Sequence, residues 1–311
     1  MNNFSTKSFK FYCGVDLHKK KSFIYILNKE GKKMKSVEIQ TSKDEIEKLF
    51  SSFNPNNLIV AVEISSLTFY FCDILRKMEI TVYVVNSLEN HYLSHSMKKT
   101  DKQDARKLAI QLWKNILPRP IYIPNKEEMD IRGLISHRHY LVKQLTRLKN
   151  RTHYILSNFD IKINKRVLKI YAQWERLCNK VNHINDEILT FKFSLLYQEY
   201  KTVQDQVLKI EKLLFKKISD NRQFNQMYER LFTIPGMGCI TISALIGCVG
   251  HIDRFSDVRQ FVSYLGLCPK VRESGGKSLG NTGLSKRGNS LLRGYFTQVA
   301  TAALRRKNMD A

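Results

Sequence analysis

No apolar run in this sequence approaches the roughly 20 residues that a membrane-spanning helix needs. The first ten residues lack the apolar stretch of a secretory signal, so the expected compartment is the cytoplasm and no membrane partner is expected. Cysteine is sparse and scattered. The six cysteines (Cys13, Cys72, Cys178, Cys239, Cys248 and Cys268) show no paired metal-ligand spacing and no disulfide framework, which leaves free thiols in a reducing compartment. Acidic residues are the most telling shortage. In 311 residues there are 28 Asp plus Glu against 52 Lys plus Arg, a formal net charge of +24 at pH 7. That excess is more than solubility requires and selects a polyanionic partner, nucleic acid ahead of an anionic membrane surface. The length allows two or more domains, and 43% apolar content is ordinary for globular protein.

With acids so few, the places where they gather carry weight. Residues 11–18, Phe-Tyr-Cys-Gly-Val-Asp-Leu-His, alternate apolar and polar positions as a strand does. A carboxylate in such a strand is costly unless it is neutralised, and a bound cation neutralises it. Taken alone, Asp16 also fits a strand edge facing water.

Strand and helix signals then alternate over the first ~115 residues. Strands are expected at 22–27 and 35–40 around a turn at Gly31, followed by a helix at 44–53. A nearly all-apolar strand at 58–63 follows, then a helix at 67–78 and a strand at 80–85. This order predicts a mixed sheet of the RNase H-like kind. Glu63, at the carboxyl end of its strand, would come near Asp16 if the two strands are parallel neighbours.

Thr100-Asp101-Lys102-Gln103 has the form of a capping box. Ala105, Leu108, Ala109 and Leu112 define the buried face of the helix that follows, and Asp101 and Asp104 continue that face at i and i+3. Surface acids complementing the helix dipole are the plainer reading of this pair. Lys98, Lys99, Lys102, Arg106 and Lys107 surround it as a candidate phosphate-holding cluster. Asp16, Glu63, Asp101 and Asp104 together would make a hard-oxygen site suited to Mg²⁺ or Mn²⁺. Two such ions about 4 Å apart serve phosphodiester displacement.

The segments Tyr-Cys-Gly-Val-Asp-Leu-His-Lys, Val-Glu at Glu63 and Lys-Thr-Asp-Lys-Gln-Asp-Ala-Arg-Lys-Leu-Ala resemble the DEDD insertion-sequence transposases, relatives of the Piv DNA invertase. The resemblance implies a RuvC-type N-terminal domain at 1–124, a helical coiled-coil insert at 125–226 and a mostly α C-terminal domain at 227–311. In the middle, Leu134, Leu141, Leu145, Leu148, Ile155 and Phe159 fall near heptad spacing, and a second long helix is expected at 184–218.

The C-terminal part opens on Ile234-Pro235-Gly236-Met237-Gly238 ahead of an apolar helix, a helix-hairpin-helix-like motif. Its glycines, Gly236 and Gly238, would let backbone N–H groups approach a phosphate, although a plain tight turn is a rival reading. A further helix is expected at 255–265, with Ser256 as its N-cap. A glycine-dense loop follows, carrying Arg272, Lys277, Lys286 and Arg287, a phosphate cradle in composition without the Gly-Lys-Ser/Thr spacing of a nucleotide P-loop. Serines in such loops are ordinarily turn residues. The family, however, carries a nucleophilic serine in a Ser-Gly loop after Gly-Leu-x-Pro. Here Gly266-Leu267-Cys268-Pro269 precedes Ser274-Gly275, so the resemblance assigns that role to Ser274, with Ser278 and Ser285 as the next matches.

The resemblance runs to about Arg305, beyond which relatives continue into a further helical tail. It implies a recombinase that cuts and rejoins DNA through a serine–DNA intermediate, with Mg²⁺ or Mn²⁺, an element-encoded bridge RNA and a homo-oligomer (dimer or tetramer). Two rival readings stand beside it: a Mg²⁺-dependent nuclease of the Holliday-junction resolvase type, and a non-enzymatic nucleic-acid-binding protein.

Overall fold

A computed structural model describes residues 9–93, 100–163, 168, 171–270, 273–274, 277–278, 283–285 and 287–307. The chain divides into two units, Met1–Ile123 and Pro124–Ala311.

The first unit is built on a five-stranded sheet: β1 (Phe11–Asp16), β2 (Lys21–Asn28), β3 (Lys33–Gln40), β4 (Leu58–Glu63) and β5 (Thr81–Val85), in the order β3-β2-β1-β4-β5. β2 runs antiparallel to both β1 and β3, whereas β1–β4 and β4–β5 are parallel. The hairpin turn falls at Gly31, as its sequence suggests, and Asn28 fastens it by accepting bonds from the backbone N–H groups of Glu30 and Lys32. The parallel pairs need crossovers, and α1 (Lys43–Phe50) and α2 (Thr68–Lys77) supply them. α3 (Ser87–Leu93) and α4 (Asp101–Trp113) follow β5.

Strand periodicity sorts the core into two layers. Leu58, Val60 and Val62 of β4 join Cys13 and Val15 of β1 on the face covered by Ile46, Phe50, Phe71 and Leu75 from α1 and α2. Ile59 and Ala61 join Tyr12 on the opposite face, under Ala105, Leu108, Ala109 and Leu112 of α4. An all-apolar strand is therefore what a sheet covered on both faces requires. The helix at 44–53 is shorter than its pattern suggests, because Ser51 caps it and Asn54-Pro55 opens a 3₁₀ turn into β4.

In the second unit, α5 (Lys126–Ser157), α6 (Tyr171–Asn182) and α7 (Glu187–Asp220) pack through Leu141, Leu145, Leu148 and Leu156 against Trp174, Leu177, Leu189, Phe193 and Tyr200. The seam on α5 drifts from the expected heptad. Thr152 and Leu156 are buried, Ile155 is half-buried, and Phe159 lies beyond the helix end and is exposed. α6 fills a segment for which no element was expected. α8 (Arg222–Phe232), α9 (Cys239–Val249), α10 (Val258–Tyr264) and α11 (Ser290–Lys307) complete the unit. Ile131 and Ile135 of α5 and Leu214 and Ile218 of α7 share a core with Ile242, Ile246 and Val249 of α9 and with Leu292 of α11. The regions expected separately at 125–226 and 227–311 are joined by this core. α9 is buried from Thr241 to Val249, and the carbonyls at its end are satisfied by side chains: Arg132 donates to Gly247 and Cys248, and Arg254 donates to Val249. The N-cap of α10 is Asp257 and not Ser256; the Asp257 carboxylate accepts from the Gln260 N–H at 2.8 Å, and Phe255 is held outside the helix against Phe261 and Tyr264. Among the described residues no helix is long and apolar enough to cross a membrane.

Of the two glycines described in the first unit's strands and turns, Gly14 is the more tightly enclosed. A Cβ there would overlap the carbonyl oxygen of Ala105 and the amide nitrogen of Ala109, so α4 rests on β1 backbone to backbone. Gly14→Ala is expected to cost about 1–3 kcal/mol through overpacking. Chemical denaturation of the full chain, followed by far-ultraviolet circular dichroism, measures that loss.

Candidate active site

Ala105 sits over Gly14, so one turn earlier α4 brings Asp101 beside the carboxyl end of β1. Thr100 caps this turn, accepting the N–H of Gln103. Asp16 closes β1, and His18 lies two residues on. His18 Nε2 stands 3.2 Å from Asp16 Oδ2 and 3.9 Å from Asp101 Oδ1. Among the described residues, Asp16, His18 and Asp101 form a group whose ligand atoms all lie within 4.8 Å of one another.

The other two candidate acids stand just outside that group. The last β1–β4 pair is Val15↔Val62, so the next residues along the two strands are Asp16 and Glu63. The Glu63 carboxylate accepts a hydrogen bond from Asn90 Nδ2 at 2.8 Å, and its backbone carbonyl accepts one from Thr68 Oγ1 at 3.1 Å. Asn90 is a buried residue of α3. The Asp104 carboxylate pairs with Lys107 Nζ at 3.0 Å. The expectation that Asp101 and Asp104 continue the buried face of α4 is therefore corrected. Asp101 is 68% exposed and Asp104 30% exposed, because burial begins only where the helix meets the sheet, at Ala105.

Burial raises the Asp16 carboxyl above the ordinary aspartate range; the His18 ring pulls it down, and the Asp101 and Asp104 carboxylates push it up. Crowded anionic oxygens that resist joint ionisation fit a hard divalent cation. Asp16 and Asp101 are placed to hold one, with Glu63 and Asp104 close at hand.

Lys102 and Arg106 are exposed, four residues apart on the outer face of α4. Lys98 and Lys99 lie outside the described residues.

In the second unit, the loop after α10 is closed at its base. Pro269 bridges Leu284, the Lys270 N–H donates to the Gly283 carbonyl at 2.8 Å, and the Ser285 N–H donates to the Cys268 carbonyl at 2.9 Å. Within it β6 (Glu273–Ser274) pairs antiparallel with β7 (Lys277–Ser278), which sets Ser274 opposite Lys277 at the hairpin end. The side chains of Ser274, Lys277 and Ser278 lie outside the described residues, as do Arg272 and Lys286. Ser285 is half-buried and Arg287 exposed. Gly236 adopts φ 84° in the turn before α9, where a Cβ would press on the Val299 carbonyl of α11; Gly238 is the N-cap of α9, with open space beside it.

Two residues beside the acids escaped sequence reading. His18 carries a legible signal, since it follows Asp16 by two residues and so stays within side-chain reach of the same strand end. Asn90 carries none: it is one polar residue in a short helix, and its burial against Glu63 exists only in the fold.

An α/β sheet with an acidic group at the carboxyl end of β1, in a chain of net charge +24, presents a candidate cation site on a strongly basic protein. Residues 13–160 match a transposase family model of the DEDD IS110 type, and residues 228–311 match the model for the transposase IS116/IS110/IS902 family. The chain belongs to the DEDD-type insertion-sequence transposases. It is 31% identical over 182 residues to a transposase for insertion sequence element IS1328 from Yersinia enterocolitica, covering 58% of this chain and 52% of that protein. It is 27% identical over 207 residues to a transposase for insertion sequence element IS1111A from Coxiella burnetii, covering 67% of this chain and 55% of that protein. A probable family 20 transposase of Pseudomonas aeruginosa is 26% identical over 274 residues, 86% of this chain and 76% of that protein. The chain thus spans about half the length of the Yersinia and Coxiella relatives it matches.

The raised Asp16 carboxyl has a signed consequence. As pH climbs through the ordinary aspartate value of about 3.9, the unfolded chain loses its proton before the folded one, so the folded state loses stability. In metal-free buffer at neutral pH, Asp16→Asn is therefore expected to raise the melting temperature by about 1–3 °C. The gain should vanish below about pH 3.5, where both states hold the proton. Thermal scans across pH with a chelator present measure it.

Proposed function

We propose that this protein is a DNA recombinase that moves an insertion element by cutting and rejoining strands through a covalent serine–DNA intermediate. The observation that carries the reading is the meeting of Asp16 and Asp101 where α4 crosses the end of β1. The strand order β3-β2-β1-β4-β5, with β2 alone antiparallel to its neighbours, supports an RNase H-like, RuvC-type reading of residues 1–124. Residues 125–226 and 227–311 are read as the helical insert and the C-terminal transposase domain.

In this reading Asp16, Glu63, Asp101 and Asp104 hold Mg²⁺ or Mn²⁺. When bound, the ions supply charge stabilisation to the attacking and leaving oxygens of a phosphodiester. Asn90 keeps Glu63 turned toward its own strand end. Lys102 and Arg106, with Lys98 and Lys99, take the DNA backbone, as do Arg272, Lys277, Lys286 and Arg287 in the second unit. Gly236 and Gly238 open the N-terminus of α9 to a phosphate. Ser274 Oγ forms a bond to phosphorus, its proton passes to the departing deoxyribose oxygen, and the cleaved P–O bond is conserved as a phosphoserine ester. Rejoining then needs no nucleotide triphosphate. A bridge RNA selects target and donor, and the acidic unit of one protomer serves the serine loop of another.

A second reading has its own support. The acidic group lies wholly in the first unit, so hydrolysis by water in the manner of a Holliday-junction resolvase needs nothing from Ser274. Denaturing gels after incubation with element-end DNA and Mg²⁺ separate the two. A protein–DNA adduct lost in Ser274→Ala and in Asp16→Ala supports the recombinase; free cut ends that persist in Ser274→Ala make the protein a nuclease. An adduct surviving Ser274→Ala moves the nucleophile to Ser278 or Ser285.

DNA affinity should also depend steeply on salt. Residues 254–311 carry eleven Lys and Arg against three acids. If about six of these cations meet phosphates, affinity falls about a thousandfold between 50 and 200 mM salt. A flat salt response in a filter-binding titration would assign the charge to another purpose.

A further inference from the structure

We propose that His18 is a nitrogen ligand of the cation site, forming with Asp16 and Asp101 a mixed set that shifts its preference from Mg²⁺ toward transition-metal cations. This rests on the cation-site reading above and adds one ligand and one selectivity to it.

The spacing is that of a partial coordination shell. With metal–ligand bonds of about 2.1 Å, neighbouring octahedral donors lie about 3.0 Å apart and opposite ones about 4.2 Å. His18 Nε2 is 3.2 Å from Asp16 Oδ2 and 3.9 Å from Asp101 Oδ1. Leu17 is buried in the core, and beyond it the His18 ring turns back to the Asp16 carboxylate at the end of β1. The backbone carrying the ring is anchored. Thr41 Oγ1 donates to the His18 carbonyl at 2.7 Å, the Thr41 N–H donates to the Lys20 carbonyl at 2.9 Å, and Ser22 Oγ meets Thr41 Oγ1 at 2.7 Å. The ring itself is 57% exposed, so an arriving ion reaches Nε2 without disturbing the core.

An imidazole contributes little to Mg²⁺, which keeps oxygen ligands and water, and more to first-row transition cations. Mn²⁺ is a suitable probe because its electron spin reports a directly bound nitrogen. The competing account is that His18 only pairs with the two carboxylates.

Full-length protein is titrated with Mn²⁺ and with Mg²⁺, and pulsed electron paramagnetic resonance reads ¹⁴N coupling to bound Mn²⁺. The expected result is ¹⁴N coupling in the wild type, its loss in His18→Gln, and an approximately tenfold fall in Mn²⁺ affinity. Mg²⁺ affinity should change less than about twofold. Mn²⁺ bound without nitrogen coupling, coupling that survives His18→Gln, or a parallel fall in both affinities overturns the assignment and leaves the cation site standing. Wild-type protein that binds neither ion overturns the cation-site reading itself and His18 with it.

Discussion

The missing side chain at Gly14 sets how close α4 comes to β1, and the candidate site inherits its geometry from that approach. Ala105 and Ala109, one turn apart on α4, present their backbone to the strand, and no residue with a Cβ fits between. This contact fixes the height of the helix and its rotation together. Asp101 is thereby turned toward Asp16, while Lys102 and Arg106 are turned to solvent. One thirteen-residue helix presents acids on one edge and bases on another, and a small rotation would displace both.

The acids at this edge work against the fold that holds them. Burial and neighbouring carboxylates both oppose ionisation of Asp16, so the charged form that could bind a cation is less favoured in the fold than in an open chain. The reserve that tolerates this lies beneath. Leu58 through Val62 are fully buried, and each apolar side chain of that size contributes about 1.5–3 kcal/mol on burial. A sheet covered on both faces can carry a strained rim, and functional sites are commonly found where local preferences and global stability conflict.

Much of the first unit was legible because its signals are local. Alternation marked β1, the unbroken apolar run marked β4 as doubly covered, and the Thr100 cap fixed where α4 starts. The family models bear out the transposase resemblance carried by the segments around Asp16, Glu63 and Asp101. What escaped depends on partners distant in sequence. The ion pair with Lys107 that occupies Asp104, and the buried Asn90 that holds Glu63, leave no periodic trace. On α5 the seam passed from the Ile155 row to Leu156, because a straight helix drifts off a seven-residue repeat. Asp257 displaced Ser256 as the cap of α10 because Phe255 packs with Phe261 and Tyr264, which shifts the helix start by residues that no capping pattern weighs.

Charge joins the two halves of the reading. A chain of net charge +24 draws a polyanion to its surface, yet Asp16 and Asp101 repel the phosphate that would have to approach them. At about 4 Å and an effective dielectric of 20, each such pair of like charges costs about 4 kcal/mol. A divalent cation between them reverses the sign of that interaction. Cation and nucleic acid should then each strengthen the binding of the other, and by linkage the two effects must be equal. Lys107 beside Asp104 offsets part of the same repulsion with the chain's own charge. The bases around the acidic edge are therefore part of the site's electrostatic balance as well as of the chain's overall positive charge.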